Sequence, residues 1–151
     1  LTFVSEGRLS SESKEEIRTM LRAVTEIESI ADSCNNLARA IRRRNEGKGE
    51  FTEMLNHNMD QMFAIVDESI KQMNIVLHKA EVVHDDINVS YNIENEINNY
   101  RNQLKIKNME DINLKQYDYQ VGVYYMDMVA ECEKLGDYVI NVVQAVVEKK
   151  I

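Results

Sequence analysis

Glu133-Lys-Leu-Gly-Asp137-Tyr-Val-Ile-Asn141 decides how this chain folds, because Glu28-Ser-Ile-Ala-Asp32-Ser-Cys-Asn-Asn36 repeats its polar positions near the opposite end. Laid over one another at the offset of 105 residues that separates Glu28 from Glu133, the segments share Val24 with Val129, Glu26 with Glu131 and Asp32 with Asp137. Asn36 then falls on Asn141 and Ala40 on Ala145. The common pattern is E-x-E-x3-D-x3-N-x3-A. Spacing of four stacks Glu, Asp and Asn in one column on a helix, and in both segments that column lies to the same side of the apolar stripe. Two such columns imply a duplicated helix. Glu-x3-Asp alone is common in an acidic chain, as Glu81 and Asp85 show; the shared Asn and Ala set the first two copies apart.

Outward from these motifs, composition points the same way. The 151 residues are 44% hydrophobic, enough for one sizeable core and too few for two. Proline is absent, glycine occurs five times, and the charged 29% is interspersed, all of which favours long helices. A net charge of -8 excludes a general nucleic-acid surface, which needs clustered Lys and Arg. Cys34 and Cys132 each sit beside a motif, and read as free thiols packed as small apolar groups, suited to a reducing compartment. No run approaches a membrane span and no signal-peptide pattern opens the chain, so it reads as soluble, and its start at Leu1 without an initiator Met reads as that of a piece excised from something longer.

The expected fold class is all-α, an antiparallel up-and-down bundle of four long helices spanning residues 13–151, with 1–12 as a lead-in or the end of an upstream helix. Ser13 and Glu16 form a capping box at the start of helix one, which runs to about Asn45. Its apolar row is Ile17, Met20, Val24, Ile27, Ala31, Cys34, Ala38 and Ile41, the alternation of a bundle helix. Arg39, Arg42, Arg43 and Arg44 crowd its end, either complementing the helix dipole or contacting anionic lipid or phosphate. Helix two starts after Thr52 as N-cap, with Leu55, Met59, Met62, Val66, Ile70, Met73, Leu77 and Ala80 inward. A break near His84-Asp-Asp86 leads to helix three over 87–107, with Ile93, Ile97, Tyr100 and Leu104 inward. A link over 108–111 leads to helix four, carrying Val121, Tyr125, Met128, Cys132, Leu135, Val139, Val143 and Val146. Gly136, in mid-helix, costs about 1 kcal/mol relative to Ala, which implies close approach of a neighbour. Ala31 is its small counterpart in helix one.

Carboxylates in a column beside a core invite a metal, because hard cations take several oxygen ligands and offset repulsion between acids. The opposing reading makes them solvated flank residues paired with Lys and Arg. A ferritin-like carboxylate-bridged enzyme needs two Glu-x-x-His motifs, and only Glu81-Val-Val-His84 fits. His57, His78 and His84 otherwise stand apart. Neither cysteine has a nearby His, no Gly-rich elbow frames a serine, and no phosphate-cradling loop occurs. The residues describe a non-catalytic binding or regulatory domain, with a purely structural helical adaptor as the other non-enzymatic option.

Glu133-Lys-Leu-Gly-Asp137-Tyr-Val-Ile-Asn141 resembles the E-R-I-G-D-x-x-x-N signature of PhoU domains, and Glu28-Ser-Ile-Ala-Asp32 resembles a second copy. Glu94-x-Glu96-Ile-Asn-Asn-Tyr-Arg-Asn-Gln-Leu104 and Tyr117-x-Tyr-Gln-x-Gly-Val-Tyr-Tyr-Met-Asp127 look like segments of the PhoU-like cytoplasmic tail of bacterial sodium/phosphate cotransporters. The resemblance covers essentially the whole chain. It implies a helical domain on the cytoplasmic side of the bacterial inner membrane, involved in phosphate transport or its regulation. The implied partner is the membrane-spanning transporter portion of the same polypeptide, with homodimerisation also open. Stand-alone PhoU proteins carry paired E(D)-x3-D motifs that bind multinuclear metal clusters. Carried over, Glu28 and Asp32 match one motif and Glu133 and Asp137 another, with a divalent or iron ion as the implied cofactor. Asn36, Asn141, Gly136 and Ala31 support the motifs. The partner motif on the preceding helix departs from the family: Glu94 is followed at the fourth position by Asn98. Helix one also lacks partner helices before it, as if the chain begins partway through a first repeat.

Overall fold

The computed structural model describes residues 9–47 and 49–150, with side chains through Glu148. Residues 1–8 of the expected lead-in lie outside the described residues. The fold is all-α: α1 (Ser11–Glu46), α2 (Glu53–His78), α3 (His84–Asn113) and α4 (Tyr119–Lys150) carry nearly all of it, with no strand among the described residues.

Local hydrogen bonds set the boundaries. Ser10 Oγ accepts from the Ser13 N–H at 3.1 Å, so α1 opens at Ser11, two residues ahead of the expected Ser13 start. Thr52 caps α2 as expected, accepting from the Leu55 N–H at 3.2 Å. α2 stops at His78, which leaves Ala80 in the 79–83 link instead of on the inner face. That link is pinned by Asp86, whose carboxylate takes the Val83 N–H and the Lys79 ammonium, and α3 therefore begins three residues before the expected Ile87.

α3 also runs through the link expected at 108–111. Asn108 and Asp111 are buried within it: Tyr117 donates to Asn108 Oδ1 at 2.6 Å, and Lys107 holds Asp111 at 2.7 Å. The helix ends instead at Asn113, and the chain is turned off its end by Lys115, in the left-handed region with φ 56°. Gln116 N–H reaches back to Asp111 O at 2.9 Å and Lys115 N–H to Ile112 O at 3.0 Å, a Schellman turn with lysine at the position that favours glycine.

α4 packs against all three other helices, whereas the extensive packing of α1 is with α4 alone. α1 and α4 run antiparallel, with Arg22 beside Glu148 near one end and Ser33 beside Glu131 further along. α3 and α4 are antiparallel too, from Tyr91 at Gln144 to Asn108 at Gly122. The core between α2, α3 and α4 holds the expected Leu55, Met59, Met62, Val66, Met73, Ile93, Ile97 and Leu104, with Tyr125, Met128, Cys132, Leu135, Val139 and Val143 from α4. Phe51 closes one end, its ring edge-on to Tyr125 at 5.8 Å.

The expected inward row of α1 is the exception. Met20, Val24, Ile27, Ala31, Cys34 and Ala38 are exposed, and only Ile17 and Ile41 are half-buried. α1 turns Ile30, Ser33, Leu37 and Ala40 to the core instead. Its duplicate explains why. The residues 105 positions on from the exposed row, Tyr125, Val129, Cys132, Gly136, Val139 and Val143, are all buried in α4. There α2 and α3 lie over the row, whereas no helix pair lies over its counterpart on α1 among the described residues.

Candidate functional site

Two reciprocal hydrogen bonds join the motifs. Asn36 Nδ2 donates to Glu131 Oε1 at 3.3 Å, and Asn141 Nδ2 donates to Glu26 Oε2 at 3.2 Å. The closing Asn of each motif thus engages the opening Glu of the other, the exchange of contacts that a two-fold relation between like helices produces. Ser33 Oγ adds a 2.8 Å bond to Glu131 Oε1. Ala40 and Ala145, the last shared pair, are both buried in the core.

The middle acids of each motif meet different surroundings. On α4, Glu133 pairs with Arg101 of α3 at 2.9 Å. Glu94 lies nearby on α3 and accepts from Asn98 Nδ2 at 2.6 Å. Asp137 is pushed above the usual aspartate range, first by loss of water against its neighbours, then by Glu133 and Glu94, with Arg101 opposing. The structure therefore brings Glu94, Asn98, Glu133 and Asp137 together around one arginine. On α1, Glu28 and Asp32 are exposed, make no ion pair or side-chain hydrogen bond among the described residues, and do not act on Asp137.

Among the described residues, no three His, Cys, Asp or Glu side chains are grouped so as to hold a metal ion. The Arg101 guanidinium sits against Glu133, and the Asn98 amide takes an oxygen of Glu94. Arg101 is the residue that motif reading passed over. It lies seven residues from Glu94, on the same helical face, which was a usable signal.

Gly136 meets the expected close neighbour, since a Cβ there would lie 2.9 Å from Ile97 Cδ1. Ala31 has no such neighbour, because it belongs to the uncovered row. Glu81 falls in the 79–83 link, so Glu81-x-x-His84 does not form one helical face. His57, His78 and His84 are exposed. Both cysteines are free: Cys132 is buried, and burial with Glu131 pushes its thiol up to about 12, but Cys34 is exposed rather than packed as expected. No helix among the described residues is long and apolar enough to cross a membrane. No family model, curated protein or solved structure matches this chain.

Proposed function

We propose that this chain is a non-catalytic, PhoU-like regulatory domain of a sodium-dependent phosphate cotransporter, placed on the cytoplasmic side of a bacterial inner membrane. The observation that carries this reading is the exchange of Asn36–Glu131 and Asn141–Glu26 between the motifs that resemble the PhoU signature. Duplicated helices that interlock through their own motif residues are what a two-repeat domain of that kind requires. The exposed row on α1 supports the same reading, because a first repeat would bring its own helix pair to cover it. Regulation would act through α4, which touches every other helix and presents Glu133 and Asp137 beside Arg101. A shift of charge at that cluster can change how α3 seats on α4 without any bond being made or broken.

Phosphate uptake by cells expressing the parent transporter tests this. Glu133→Ala with Asp137→Ala should change the rate of radiolabelled phosphate uptake or its dependence on external phosphate. Uptake curves superimposable on the parent's, with the protein present at equal amount in the membrane, would reject the regulatory reading in favour of a structural adaptor.

A further inference from the structure

Arg39, Arg42 and Arg43 share one face of α1 and line an open cleft of about 720 Å³ against α4, where Lys134, Asp127 and Glu131 form the opposite wall. Elsewhere among the described residues the arginines are engaged. Arg18 holds Glu15, Arg22 holds Glu148, Arg101 holds Glu133, and Arg44 reaches Asn45 and lies over the Phe51 ring at 5.0 Å. The three cleft arginines make no ion pair or side-chain hydrogen bond among the described residues. In a chain of net charge -8, three guanidiniums left without carboxylates on one wall are not a product of composition.

Helix-dipole compensation covers only part of this. Arg43 and Arg44 stand in the last turn of α1, where that effect operates, whereas Arg39 stands two turns from its end. The duplication supplies an internal comparison. At the other end of the α1–α4 pair, the positions equivalent to Arg39, Arg42 and Arg43 are Gln144, Val147 and Glu148, and Arg22 stands where Asp127 does here. That end is bridged by the exposed Arg22–Glu148 pair at 2.8 Å. Arg43 and Asp127 carry the same opposite charges in exchanged places, yet form no such pair, and this end stays open.

We infer that the cleft between the C-terminal end of α1 and α4 binds a phosphate group. Four cations and two carboxylates line it, an excess of two positive charges that attracts the dianion of a phosphate monoester and, more weakly, the single charge of a phosphodiester headgroup. Planar guanidiniums offer paired N–H donors matched to phosphate oxygens, with Lys134 as a further point charge. Glu131 gives one oxygen to Ser33 and Asn36 in the helix interface and has the other 4.0 Å from Lys134, which leaves Asp127 as the one cleft acid without a donor of its own among the described residues. The phosphate can belong to a free phosphorylated compound or to the headgroup of an anionic lipid; the chemistry at the cleft is shared.

Isothermal titration of the whole chain with inorganic pyrophosphate, and co-sedimentation with phosphatidylglycerol or phosphatidylcholine vesicles, test the inference. Saturable one-to-one binding of pyrophosphate assigns a free compound, and binding confined to phosphatidylglycerol vesicles assigns a headgroup; either supports the site. Arg39→Gln with Arg42→Gln and Arg43→Gln should weaken whichever binding is seen at least tenfold. Arg18→Gln, remote from the cleft, should leave it unchanged. These three arginines are exposed, and an unchanged Tm verifies that the triple variant folds. Absence of binding to both probes, or equal binding by parent and triple variant, overturns the inference, and neither result bears on the uptake experiment.

Discussion

Asn36 and Asn141 do the same job at opposite ends of one interface, each giving its amide to the first glutamate of the other's motif. Asn36→Ala and Asn141→Ala should each lower unfolding free energy by about 0.5–1.5 kcal/mol, and their sum should describe the double variant. Asn36→Asp should cost more than Asn36→Ala, since it sets a second carboxylate against Glu131. Urea unfolding followed by circular dichroism measures all four.

Val24 and Val129 are the same residue at equivalent positions, 53% and 0% exposed. Val24→Ala should stay within about 0.5 kcal/mol of the parent, as surface changes do. Val129→Ala should cost about 1.5–3 kcal/mol through lost burial and a residual cavity. Equal costs for the two in thermal unfolding would show that α1's row is covered in the isolated chain.

Gly136 leaves no room beneath Ile97, which is itself fully buried. Gly136→Val should therefore destabilise by about 1–3 kcal/mol. Shortening Ile97 to Val in the same chain should recover part of the loss, a coupling that a double-mutant cycle reads directly.

Asp137 has its folded-state affinity for a proton raised, so its charged form weakens the fold once pH climbs above the ordinary aspartate range. Asp137→Asn should stabilise the chain near neutral pH by about 0.2–0.5 kcal/mol, the scale of an exposed like-charge pair four residues apart. The gain should fade as pH falls into and below the ordinary range, where the parent carries a protonated acid in both states. Tm measured across pH 3–8 gives the curve.

Cys34 is exposed and Cys132 buried, with the latter's thiol held far from ionising at neutral pH. A chromogenic disulfide reagent should titrate one thiol per native chain and two in denaturant. Cys34→Ser should abolish the native reaction.

The helices were legible because their apolar periods are long and no proline interrupts them. Thr52 and the Leu55-to-Met73 row could be placed from type and spacing alone, as could the core row of α4. The end of α3 could not, because its stop is a lysine in a left-handed conformation, and no residue type announces that. Asp86 was hidden for a related reason: it looked like part of a charged break, yet it organises the turn by accepting from Val83 and Lys79. The larger miss concerns α1. Periodicity shows that a row is apolar but not whether anything lies against it, so Met20 through Ala38 read as core. At the motifs, spacing revealed the duplicated columns and not their division of labour, with the outer Glu and Asn bonding across the helix pair and the inner Glu and Asp of α4 facing Arg101.

Because α4 is the surface on which α1, α2 and α3 all depend, the order of synthesis matters. A ribosome makes α1 before α4, its one extensive docking surface among the described residues, so that contact waits until α2 and α3 have emerged. The hairpin of α2 and α3 can form in that interval, but it too lacks a third wall. The contacts with α4 become possible only as that helix clears the exit tunnel, and nascent chains stalled before residue 119 should lack them and be held by chaperones.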